Sequence, residues 1–164
     1  MTRRLVETEL FPRGAIEYYT DKNMGRVVMP EDTERWWMVE RGGDQGDYRE
    51  GMPEKIANAI DCLREHSHSK RAIIPIPFSS EGSVGVNWRD VGQTKCCREL
   101  HLYVEEEKLC CTGFLRAQGA SIFPKNIHMF ATILEEVGAG LGREVGEYTH
   151  IISSLCHDRG ATQC

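Results

Sequence analysis

The sequence predicts an α+β fold (α/β layered), a sheet packed with helices. Two periodicities carry that expectation. Leu100, Leu102 and Val104 alternate with His101 and Tyr103, the period-two pattern of a half-buried strand. After a polar turn over Glu105, Glu106, Glu107 and Lys108, the run from Leu109 to Leu115 reads as the returning strand of a hairpin. On either side, Met52, Ile56, Ile60 and Leu63, then Ile127, Phe130, Ile133 or Leu134, Val137 and Leu141, recur at helical spacing. A chain of 164 residues is expected to form one domain over residues 1–164, large enough for a core.

The elements follow in order. Residues 1–30 read as mixed, with turn signals at Pro12-Arg13-Gly14 and Asn23-Met24-Gly25. Asp32 or Thr33 is placed to cap a short helix carrying Trp36, Trp37 and Val39, which stops at Gly42-Gly43. The polar, glycine-rich segment to Gly51 reads as an exposed loop. Pro53 suits the first turn of the next helix, which is expected to end near His66-Ser67-His68. Ala72-Ile73-Ile74-Pro75-Ile76 has strand length, and its proline points to an edge or a bulge. Ser79 to Thr94 shows no period and reads as a loop. Asn126 is a candidate cap for the helix after the hairpin, and Gly138, Gly140 and Gly142 mark its end. Tyr148 to Ser153 reads as the last strand.

Composition narrows the class of function. A net charge of −5 argues against nucleic acid as the main partner. No apolar run is long enough to cross a bilayer, and the first residues, MTRRLVETELF, lack the apolar core of a secretory signal. Seven cysteines, an odd count without such a signal, favour reduced thiols, and the adjacent pairs Cys96-Cys97 and Cys110-Cys111 lack the C-x-x-C spacing of a zinc site. A cytoplasmic domain with no membrane partner and no metal is expected.

The hairpin carries the chemistry. Cys96 stands where the first strand begins and Arg116 where the second ends, so antiparallel pairing brings them together. Positive charge beside a thiol favours the thiolate, which is the nucleophilic form. Each residue also has an ordinary role open to it. Cysteine is among the most buried residue types, and Cys97 is the adjacent rival. Arg116 would equally suit a solvated strand end, Lys70-Arg71 the C-terminus of the preceding helix, and Glu34 a first helical turn. Asn126 would serve as a helix cap.

From Cys96 to Asn126 the chain resembles the catalytic core of thymidylate synthase and its relatives, the pyrimidine hydroxymethylases. There a Pro-Cys-His precedes a strand ending Tyr-Val, a Gly-Lys-Leu turn, a second strand closed by Arg-Ser, and a Pro-Phe-Asn-Ile opening a long helix. Here Lys95-Cys96-Cys97, Tyr103-Val104, Lys108-Leu109, Arg116-Ala117 and Pro124-Lys125-Asn126-Ile127 stand at those places. Spacing fits from Cys96 through Tyr103 to Arg116, and the chain is one residue shorter between Arg116 and Asn126. Upstream, the helix from Glu54 and Ser69-Lys70-Arg71 before Ala72-Ile73-Ile74 resembles the family's helix and Ser-Arg-Arg, and Glu34 with Trp37 its Glu-Leu-x-Trp.

The resemblance implies a thymidylate-synthase-like mixed sheet packed with helices, and a role for each position. Cys96 would attack C6 of a pyrimidine and Glu34 would organise proton transfer. Arg116 would hold the substrate phosphate, joined across a homodimer by Lys70 and Arg71, and Asn126 would read the base edge. 5,10-methylenetetrahydrofolate would be the one-carbon donor. The departures are specific. Ala117 replaces the serine, and Gly119 or the deletion removes the aspartate that contacts folate. Leu155 and His157 stand where a His-x-Tyr clamps the sugar, and the sequence stops at Cys164, short of the family's folate-covering tail. The resemblance is thus to a short, divergent member. Two functions fit it: one-carbon transfer to C5 of a pyrimidine nucleotide or analogue through the Cys96 thiolate, and a repurposed non-catalytic fold that binds a nucleotide or other phosphorylated ligand.

Overall fold

The computed structural model describes residues 5–9, 11–26, 30–31, 48–76 and 95–156. The expected helix around Glu34, Trp36 and Trp37, the loop from Ser79 to Thr94, and His157 lie outside the described residues. The described helices are α1 (Arg13–Asn23), α2 (Met52–Glu65) and α3 (Phe123–Leu141). The strands are β1 (Ile73–Pro75), β2 (Cys97–Glu105), β3 (Lys108–Leu115), β4 (Gln118–Gly119), β5 (Val145–Ile152) and β6 (Leu155–Cys156).

β1, β2, β3 and β5 form a mixed sheet in that order. β1 pairs antiparallel with β2, and β2 with β3; β5 joins β3 in parallel, so α3 serves as the crossover between them. This is the α+β arrangement of a mixed sheet packed with helices that the sequence predicts. The hairpin turn is two residues long, Glu106 and Glu107, both at positive φ, which matches the right-handed twist of the flanking strands. Pro75 closes β1 at the sheet edge, where its missing N–H breaks no ladder.

Apolar faces meet over this sheet. α2 contributes Met52, Ile56, Ala59 and Leu63, and α3 contributes Met129, Phe130, Ile133, Leu134 and Val137, to a core completed by Leu100, Leu102, Leu109 and Leu115. α3 ends where expected, with Gly142 in the left-handed conformation that terminates helices. Its start differs from expectation. Phe123 is the first helical residue and Ile122 holds the cap position, so Asn126 lies inside the helix and does not cap it. Pro124 explains the earlier start, since the first turn needs no N–H from it.

α1 also departs from the reading of residues 1–30 as mixed. The proline that marks a turn is the residue before the first helical turn, and the buried set includes Thr20, Lys22 and Asn23 beside Ile16 and Tyr19. A buried face so polar leaves little apolar period to detect. α1 packs along α3. No described helix is long and apolar enough to cross a membrane.

Candidate functional site

The start of β2 and the end of β3 converge as the hairpin predicts. The Arg116 backbone N–H donates to the Cys96 carbonyl at 2.9 Å, and Arg116 Nε donates to the Lys95 carbonyl at 3.4 Å. The guanidinium therefore folds back across the strand's first residues, and Cys96 and Arg116 are both half-buried. Cys97 is fully buried. Its N–H donates to Tyr48 Oη at 3.2 Å, and burial pushes its thiol up to about 12. A thiol in that state is protonated and inert at neutral pH. Of the adjacent pair, Cys96 alone keeps solvent access.

Two cations that the sequence did not single out gather at the same end. The largely buried Lys95 side chain pairs with Glu50 at 3.2 Å, and Lys55 Nζ donates to the Glu50 carbonyl at 2.7 Å. Burial first, opposed by Glu50 and reinforced by Lys95, draws the Lys55 ammonium below its ordinary range. Lys95 was legible as the neighbour of Cys96; Lys55, on the first turn of α2, arrives only by folding. Tyr48 is a further addition. Its N–H donates to Asn23 Oδ1 at 2.6 Å, and burial raises its phenol well above the usual range.

Asn126 sits in a buried polar chain. Its Nδ2 donates to Gln118 Oε1 at 2.9 Å, and Tyr19 Oη donates to Asn126 Oδ1 at 3.3 Å. Gln118 Nε2 in turn donates to the Gly119 carbonyl at 2.8 Å. The network sets the amide's orientation and leaves one N–H and one carbonyl lone pair beyond these bonds. Beside it, Lys125 is completely buried with Nζ 4.2 Å from the Tyr19 ring centroid and 5.2 Å from that of Phe11. Two aromatic faces are a setting in which a cation is stabilised away from water.

Lys70 and Arg71 are exposed and lie elsewhere. The Leu102 N–H donates to the Ala72 carbonyl, so both precede β1 at the far end of β2, about 20 Å along the strand from Cys96. One chain does not bring them to Cys96 and Arg116. Leu155, on β6, is exposed, and β6 pairs with β4 immediately after Arg116. Five described cysteines, Cys62, Cys96, Cys97, Cys110 and Cys111, are free thiols, whereas Cys156 is disulfide-bonded. The expectation of reduced thiols is corrected at Cys156, since an odd count excludes complete pairing and not an individual disulfide. No group of three or more potential metal ligands occurs among the described residues.

No known family profile matches the sequence, and a search of curated proteins finds no match. The fold, in contrast, is similar to solved structures. One is the thermostable thymidylate synthase A from Bacillus subtilis, with a TM-score of 0.51 and 19% identity over 63% of this chain and 35% of that one. The chain thus spans about a third of that enzyme's length, and the likeness establishes a thymidylate-synthase-like fold.

Proposed function

We propose that the chain acts on a pyrimidine nucleotide or an analogue, in the manner of a thymidylate synthase, through addition of the Cys96 thiolate to C6 of the ring. The observation that carries this reading is the backbone pairing of Arg116 with Cys96 across the mouth of the hairpin, with Lys55 and the Glu50-paired Lys95 at the same end. Cations at this end suit a phosphate, bidentate on arginine and as a point charge on lysine.

The chemistry balances without a further reactant in its exchange form. Cys96 Sγ bonds to C6, and the C5–C6 π pair moves toward C5 and its neighbouring carbonyl. C5 takes a proton from solvent, loses its original hydrogen, and expulsion of the thiolate restores the ring. In the transfer reaction a one-carbon electrophile takes the place of the solvent proton. Asn126 reads the base edge, Glu34 organises proton transfer, and Lys70 and Arg71 complete the phosphate site from a second copy of the chain in a homodimer.

Folate fits this chain poorly as the one-carbon donor. The residues after Arg116 are the buried Ala117, Gln118 and Gly119, and the Gln118 amide is engaged with Asn126 and Gly119, so no carboxylate is offered there. That same observation favours the second reading, a nucleotide-binding fold without transfer.

Release of tritium from C5-labelled dUMP, UMP, dCMP and CMP tests the proposal, with wild type and Cys96→Ala, and with and without methylenetetrahydrofolate. Cys96-dependent release from one nucleotide is expected and names its base and sugar. Binding without release from any of the four would replace the enzyme with the non-catalytic binder.

A further inference from the structure

Tyr148 and His150 lie two residues apart on β5 and therefore share one face of the sheet. His150 is in register with Gly113 of β3, and a Cβ at Gly113 would stand 2.6 Å from Tyr148 Oη. The absent side chain is what gives the phenol its room. Tyr148 Oη and His150 Nδ1 are 2.6 Å apart. The imidazole also meets Phe123 at 4.9 Å and Phe130 at 6.0 Å between ring centroids, both from α3. Its other nitrogen, Nε2, is buried and has no hydrogen-bond partner among the described residues.

The bond determines the tautomer. Burial holds the Tyr148 phenol protonated, well above its ordinary range, so its O–H needs an acceptor. Nδ1 supplies one, which leaves the ring proton on Nε2. The opposite tautomer would strand two groups, the phenol proton and the Nε2 lone pair. Burial keeps the imidazole neutral, its value lowered to about 4. The result is a fixed, neutral N–H donor with no acceptor among the described residues, and buried polar groups of that kind call for a partner.

The surroundings indicate which partner. Phe123, Asn126 and Phe130 recur at i, i+3 and i+7, so the two rings against His150 come from the helix face that also carries Asn126. Two aromatic rings beside an uncharged donor suit a planar ring with a neutral carbonyl. A phosphate would instead be drawn to Lys55, Lys95 and Arg116. We propose that His150 Nε2–H binds a ring carbonyl oxygen of the pyrimidine, with Tyr148 as the positioning residue that fixes its tautomer; the assignment rests on the nucleotide reading above.

The test is two-bond proton–nitrogen correlation on the full chain with nitrogen-15-labelled histidine, titrated with UMP, dUMP and ribose 5-phosphate. A shift of the His150 Nε2–H resonance with the nucleotides and none with ribose 5-phosphate is expected. His150→Phe is expected to weaken nucleotide binding about tenfold and leave ribose 5-phosphate unchanged. Tyr148→Phe, which keeps the imidazole, is expected to redistribute the tautomers and lower nucleotide affinity less. Nucleotide binding with an unmoved His150 signal and unaltered affinity in folded His150→Phe would overturn this assignment alone. Equal losses for nucleotide and ribose 5-phosphate would reduce His150 to packing. Failure of the folded wild type to bind any pyrimidine nucleotide would remove the nucleotide reading and this inference together.

Discussion

Cys96 and Cys97 behave differently because consecutive residues of an extended chain face opposite sides. Cys97 and Cys111 turn into the core, where burial raises both thiols, while Cys96 stays half-buried beside Arg116. Iodoacetamide at pH 7.5 is expected to label Cys96 in the native protein and to reach Cys97 and Cys111 only after denaturation, as peptide mass mapping would reveal. Native labelling of Cys97 in preference to Cys96 would reverse the choice of nucleophile. His150 gives a second residue-level expectation. Its value near 4 lies below the ordinary 6.5, so between those pH values the unfolded chain binds more protons than the folded one. Stability therefore rises with pH across that window through this group, by at most about one proton in slope. The groups against the ring are Tyr148, Phe123 and Phe130, none of which ionises there. Denaturant titrations from pH 4 to 7 are expected to show a flatter slope for His150→Phe than for wild type; parallel curves would contradict the neutral buried imidazole.

Between elements, the contact of β3 with β5 depends on a missing side chain. A Cβ at Gly113 would also come within 3.2 Å of Leu100 Cδ2, but that methyl ends a flexible side chain, and the contact that cannot relax is Tyr148 Oη. Gly113→Ala is expected to cost about 1–3 kcal/mol, the usual range for overpacking. Tyr148→Phe removes the offending oxygen and leaves Cζ at 3.4 Å, an ordinary contact. The double variant is therefore expected to lose less than the sum of the single losses, a coupling of about 1 kcal/mol that urea midpoints at constant slope would measure. Additive losses would mean that Gly113 is constrained by something other than the phenol.

Across the whole molecule, the predicted phosphate ligands fall into two groups at opposite ends of β2. Arg116 accompanies Cys96, whereas Lys70 and Arg71 lie about 20 Å away. For all of them to serve one phosphate, the distant pair must come from a second copy related by a two-fold axis. Mixing Cys96→Ala with Arg71→Ala chains is then expected to restore about a quarter of wild-type tritium release, because half the dimers are mixed and each has one intact site. No recovery from two inactive parents, or an Arg71→Ala chain that is fully active alone, would remove Lys70 and Arg71 from the site. The net charge of −5 leaves this cationic end as a local feature of an acidic chain, strongest at low salt.

Local pattern was enough for much of the architecture. The alternation from Leu100 to Val104, the spacing of Met52, Ile56 and Leu63, the edge proline at Pro75 and the glycine after Leu141 each express a constraint between near neighbours, and each element forms where its pattern lies. The proximity of Cys96 and Arg116 followed from the hairpin for the same reason. Only the tertiary structure decided the rest. Asn126 is an interior network residue because Tyr19, 107 positions earlier, and Gln118 reach it. Cys97 and not Cys96 is the buried thiol because Tyr48 and the core close over one side of the strand. Lys55 joins Lys95, and His150 is left with a nitrogen unpartnered among the described residues, through contacts between elements far apart in the chain. Periodicity reports which face of an element is apolar; which polar group that face will meet is set by packing, and no local pattern encodes it.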